Sequence, residues 1–253
     1  MNYFVSCLYG QYEKYRQILQ CLQMKDKDKL WILGDVLDGN DKQPEQNLRL
    51  LDEIHDNPQV ELLCGDHEYA RVKRELAEEK EKVEWNKKIS EFTVSGDAFE
   101  KYIRTRMTKD EKRHYFIKIL LELNVTQALK IGNKNIYLVH GTPAKWKGDQ
   151  SEWEEKVCFG KASVRKDVYS CVLSEPSMNM HLLEKDNVTR TNLITVSGQL
   201  SPERAAKEAG CKMPIEGAFF YNGMLAIGRD TVRTPIYVVG IDEFGFFIQG
   251  KYD

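Results

Sequence analysis

Five apolar runs in this chain stop on a small residue beside a polar one. They end at Cys7-Leu8-Tyr9-Gly10, Gly34-Asp35, Gly65-Asp66, His140-Gly141 and Gly198-Gln199. The runs "KLWIL" (29–33), "VELLC" (60–64) and "NIYLV" (135–139) have the length and composition of buried strands, as do Tyr3–Leu8 and Asn192–Val196. Between the first three lie segments of helical spacing. Tyr15, Ile18, Leu19 and Leu22 mark one over Tyr12–Gln23, and Leu48, Leu51 and Ile54 mark another behind Pro44. Strand and helix in alternation make βαβ units with parallel strands, so the fold class is α/β. Parallel strands bring their C-terminal ends to one rim of a sheet, where the polar residues would converge.

The middle of the chain differs. Arg71–Lys88 is densely charged and reads as one solvated helix, and Lys109–Leu123 as an amphipathic one. Together they suggest a charged helical insertion at about 70–125 within a single domain of residues 1–253. Near the C-terminus, "AFFYNGMLAIG" and "PIYVVGIDEFGFFIQG" read as hairpins turning at Asn222-Gly223 and near Glu243-Gly245.

Composition narrows the function classes. Hydrophobic residues make up 42% and charged residues 30%, with a net charge of -2, so no basic excess points to nucleic acid or an anionic membrane. No apolar run approaches the ~18 residues that span a bilayer. No secretory signal is visible, and the six cysteines show no CxxC pair. The expectation is a cytoplasmic protein with reduced thiols.

Asp35, Asp66 and His140 are oxygen and nitrogen donors in strand-end register, which suits a divalent cation. The motifs "SCLYG", "GDVLDGN", "GDHE", "LVHGTP" and "SGQLSP" then carry a resemblance. In order and spacing, from residue 3 to about 248, they are similar to the calcineurin-like metallophosphoesterases, in particular the serine/threonine phosphatase branch. The resemblance implies a four-layer α-β-β-α sandwich of two mixed sheets flanked by helices. It implies two metals bridged by Asp35, the second also held by Asp66, His140 and Gln199. It implies His67 as leaving-group acid, oriented by Asp38. The sequence departs from the family where the first metal takes an Asp and a His, here Cys7 and Tyr9, and where a phosphate-gripping Arg is replaced by Gly39. A thiol and a phenol are mostly protonated at neutral pH and bind hard cations poorly. The expectation is an eroded centre holding one divalent cation (Mn, Fe or Zn) or none, with Cys7 and Tyr9 as filler and Lys42 or Arg71 as replacement phosphate grip. Two functions follow: weak phosphatase activity on a phosphoprotein or small phosphoester, or an inactive pseudophosphatase that binds a phosphorylated or protein partner. His55, His114 and His181 read as surface residues.

Overall fold

The computed structural model describes residues 1–39, 42–92, 98–163, 165, 167–174, 189, 192–213, 216–229 and 233–253. In chain order the elements are β1 (Asn2–Val5), α1 (Tyr12–Leu22), β2 (Lys29–Leu33), α2 (Gln46–Asp56), β3 (Val60–Leu63), α3 (Asp66–Leu76), α4 (Glu79–Phe92), α5 (Ala98–Arg106) and α6 (Lys109–Arg113). Then come β4 (Thr126–Ile131), β5 (Lys134–Val139), α7 (Gln150–Phe159), α8 (Val168–Ser174), β6 (Leu193–Ser197), α9 (Pro202–Ala209), β7 (Phe219–Tyr221), β8 (Met224–Ala226), β9 (Ile236–Ile241) and β10 (Phe246–Tyr252).

The strands form two five-stranded sheets, ordered β10-β9-β1-β2-β3 and β4-β5-β6-β8-β7. Each is mixed: β1, β2 and β3 run parallel, as do β5, β6 and β8, with antiparallel partners outside. The period-two alternation of strand side chains decides how they pack. Phe4, Leu33 and Leu63 point inward against Ile136, Leu138 and Val196 of the second sheet. Their neighbours Tyr3, Val5, Leu30 and Ile32 point outward against Ile18, Leu50 and Ile54 of α1 and α2. Tyr137 and Val139 do the same on the other side, against Trp153 and Val157 of α7. Each fully buried side chain of this size contributes roughly 1.5–3 kcal/mol. The result is the expected four-layer α-β-β-α sandwich.

Three local differences from the sequence reading have physical causes. Arg71–Lys88 is two helices, broken at Ala77, whose backbone is extended (φ -72°, ψ 150°). No breaker residue marks the spot; the fold-back lets Trp85 meet Tyr69 (ring centroids 6.2 Å apart) and Phe159 (6.4 Å). The 109–123 helix widens into a π-turn over His114–Ile119 and closes with one 3₁₀ turn, Leu120–Glu122. Apolar spacing reports the buried face, here Phe116, Ile119 and Leu120, and not the hydrogen-bond ladder. Thr126–Ile131, assigned no strand from the sequence, pairs antiparallel with β5 across a turn at Gly132. Both C-terminal hairpins form, the first on Asn222 and Gly223 at positive φ.

Candidate metal centre

Each proposed ligand lies at the C-terminal end of a strand: Cys7 and Tyr9 after β1, Asp35 after β2, Asp66 after β3, His140 after β5 and Gln199 after β6. The loops that carry them are strained. Cys7, Tyr9, Asp35 and Asp38 all adopt positive φ (57°, 46°, 57° and 68°). For non-glycine residues that costs roughly 1–3 kcal/mol each. Adjacent loops hold one another in place: Cys7 N–H donates to Gly34 O (3.1 Å), Tyr9 N–H to Asp35 O (2.9 Å) and Gly10 N–H to Val36 O (2.6 Å). Beneath them the buried Glu68 carboxylate accepts the N–H groups of Asp35, Val36, Leu37 and Gly65 at 2.9–3.1 Å. Gly34 is required where the strand ends meet, because a Cβ there would lie 2.5 Å from Gly65 Cα.

His140 is fully buried, and its Nδ1 lies 2.6 Å from Leu33 O. A proton on Nδ1 donated to that carbonyl leaves Nε2 for the centre, the arrangement typical of a ligating imidazole. Nε2 sits 3.3 Å from both Asp35 Oδ2 and Asp66 Oδ1, aligned for a hydrogen bond to neither. Gln199 Nε2 reaches Asp66 Oδ2 at 3.4 Å. Asp35 Oδ1, Asp66 Oδ1, His140 Nε2 and Gln199 Oε1 are all buried without a hydrogen-bond partner. Such atoms are costly to bury unless something coordinates them, so these residues fit a cation.

The electrostatics agree. Burial, then the charge of Asp35, pushes the Asp66 carboxyl up. Burial also works against Asp35, but the imidazoles of His140 and His67 outweigh it and hold Asp35 below the usual carboxylate range. His140 is raised in turn, with Asp35 and Asp66 overcoming its burial. A buried carboxylate pair balanced only by protons is the situation a divalent cation relieves.

Beside this group, His67 Nδ1 lies 2.9 Å from Asp38 Oδ2, and His67 Nε2 lies 4.0 Å from Asp35 Oδ2. Burial opposes a charge on His67, but Asp35 and Asp38 prevail and push it up to about 10. Asp38 falls to about 2, because Arg71 and His67 outweigh its burial.

Comparison with known proteins identifies the family. The family model for calcineurin-like phosphoesterases matches residues 3–189. The chain belongs to the calcineurin-like phosphoesterases. No curated protein sequence matches it. Among solved structures, a protein serine/threonine phosphatase from Saccharomyces cerevisiae with similarity to human phosphatase PP5 matches with TM-score 0.51 at 13% identity, over 100% of this chain and 79% of that one. A metallophosphoesterase from Sphaerobacter thermophilus gives 0.48 at 13%, covering 100% and 88%. A hypothetical protein from Pyrococcus horikoshii OT3 gives 0.47 at 11%, covering 100% and 89%. As a calcineurin-like phosphoesterase the chain has the hydrolase fold of a family that uses divalent metals.

The places where this phosphoesterase leaves the family pattern now have surroundings. Cys7 Sγ lies 3.8 Å and Tyr9 Oη 3.4 Å from Asp35 Oδ2. Burial, helped by Asp35, pushes the Cys7 thiol up to about 11; burial, with Cys7 and Asp35, pushes the Tyr9 phenol far higher than usual. Among the described residues, Cys7, Asp35 and His140 bring their ligand atoms together in one group, and Asp35, Asp66 and His67 in another. Arg71, expected as a replacement phosphate grip, is fully buried. It is committed to Asp38 and, at 2.6 Å, to Glu100 Oε2. Lys42 is exposed in the loop before α2. Gly39 has a packing cause, since a Cβ there would lie 1.8 Å from the Tyr9 carbonyl oxygen. The sequence reading missed Arg229, whose Nη1 donates to Cys7 O at 2.8 Å and whose guanidinium lies 5.9 Å from the Tyr9 ring centroid. Its signal was the Gly228-Arg229 step just past a predicted hairpin strand. His55 and His114 are exposed, as expected, and His181 lies outside the described residues.

Proposed function

We propose that this calcineurin-like phosphoesterase is a phosphatase of low turnover working with one divalent cation held by Asp35, Asp66, His140 and the amide oxygen of Gln199. The supporting observation is the set of four buried, partnerless donor atoms on these residues, beside a His–Asp pair. When bound, a divalent cation supplies Lewis acidity and a water of lowered pKa. The chain's residues do the rest. His67 presents Nε2 to the centre, and its pairing with Asp38 favours the protonated ring, so it is placed to protonate the leaving oxygen of a phosphoester. Asp38 fixes the imidazole through Nδ1, and Arg71 fixes Asp38. Carboxylate and imidazole donors suit Mn, Fe or Zn.

A specific observation also favours a second reading, an inactive domain that binds a phosphorylated or protein partner. The Cys7 thiol and the Tyr9 phenol, both pushed toward their protonated forms, point at Asp35 Oδ2, so the positions that would hold the family's first metal offer Asp35 hydrogen-bond donors in place of a carboxylate and an imidazole. Titration of metal-stripped protein with Mn or Zn, read by calorimetry, decides how many cations bind. The expected result is one tight site per chain, lost in Asp66→Ala. Two tight sites of similar affinity would overturn the one-metal reading. Turnover of an aryl phosphate by the loaded protein separates the readings: slow but Mn-dependent hydrolysis supports the phosphatase, and none above background supports the binding domain.

A further inference from the structure

Past His140, the chain leaves the metal centre and enters a second cavity of about 610 Å³. It lies between the loop after β5 and the C-terminal end of α7. Its size is within the ~300–1,000 Å³ usual for small-molecule sites. Four lysines line it, Lys145, Lys147, Lys156 and Lys161, against one carboxylate, Asp167. Lys156 pairs with Glu152, but Lys145, Lys147 and Lys161 have no ion pair among the described residues.

We infer that this cavity is a binding site for a small molecule carrying two or more linked phosphates. Ammonium groups are strongly hydrated point charges that neutralise phosphate from several directions. Asp167 and the carbonyl end of α7 oppose an anion, but one carboxylate stands against the three lysines left without an ion pair. A single phosphate would leave most of the cavity empty, which is why a linked pair fits better.

The test uses inorganic pyrophosphate as the probe, with chelator-treated full-length protein and calorimetry at a fixed low salt concentration. Because no metal is present, failure of the phosphatase reading leaves this result untouched. Wild-type protein should bind, and added salt should weaken binding. Lys145→Ser/Lys147→Ser/Lys161→Ser should weaken it by about tenfold or more. A control of equal charge change on the outer side of the first sheet, Lys25→Ser/Lys27→Ser/Lys118→Ser, all exposed, should bind as wild type. Three outcomes overturn the inference: no binding by wild type, equal loss in the control, or loss on Asp35→Asn with the lysine variant unaffected.

Discussion

Replacing Glu68 with Gln keeps its shape and removes its charge. The carboxylate serves four backbone N–H groups. An amide offers one oxygen and turns its NH₂ toward donors, so Glu68→Gln should cost about 1–3 kcal/mol. A lower denaturation midpoint with an unchanged m-value would show it. The sequence exposed Glu68 only as the last letter of a motif; its role lies in loops far away in the chain. His67 supports a second prediction. In metal-free protein its folded pKa, about 10, is raised above the free value near 6.5. The stability this contributes is therefore complete below about pH 6.5 and is lost as pH rises through about 10. By NMR the His67 ring should remain protonated through neutral pH, and a midpoint near 6.5 would contradict the pairing. Residue chemistry at Asp35, Asp66 and His140 was legible because strand-end register needs only the local sequence. Arg71 was misread because its partners, Asp38 and Glu100, come from elsewhere in the fold.

Among elements, α5 is tied to α3 through charge. Glu100 accepts from Arg71 Nη1 (2.6 Å), Arg74 Nη1 (2.7 Å) and Arg104 Nε (2.8 Å). Glu100→Ala would leave the fully buried Arg71 short of a partner and should cost about 3–5 kcal/mol. Burial works against the Glu100 charge, but Arg71 and Arg74 hold the carboxyl down at about 2. A depressed carboxyl stabilises above its free value near 4.5 and loses that contribution as pH falls toward 2. Acid denaturation curves of wild type and Glu100→Gln should therefore diverge above that window and converge below it. This contact also explains why the helical region was the least legible part of the chain. Alternating and continuous apolar runs fixed the strands, whereas α4 and α5 bury few residues and their ends are set by packing on α3. The strand β4 was within reach: "TQALKIGNKNIYLV" carries a turn-forming Gly132-Asn133 between two β-like stretches.

For the whole molecule, the informative experiment is restoration of the family's ligands. Cys7→Asp, Tyr9→His, Asp66→Asn and Gln199→His act as a unit and should together raise the bound metal from one to two per chain, while single changes do little. Adding Gly39→Arg should undo part of the gain. Its Cβ would collide with the Tyr9 carbonyl, and overpacking of this kind costs about 1–3 kcal/mol, lowering Tm by several degrees. A quintuple variant as stable as the quadruple one would show that these loops yield easily. The sandwich itself was legible because its inner and outer faces are written in strand alternation; the order of strands was not, since β1 and β9 meet from opposite ends of the sequence. That pairing, Asn2 against Ile241, has a consequence for biosynthesis. At roughly 5–20 residues per second of translation, β1 waits on the order of ten to fifty seconds with one edge unpaired. The nascent chain thus passes through a period in which its first sheet is open to association with other chains, and chaperone dependence should be greatest just before β9 leaves the ribosome.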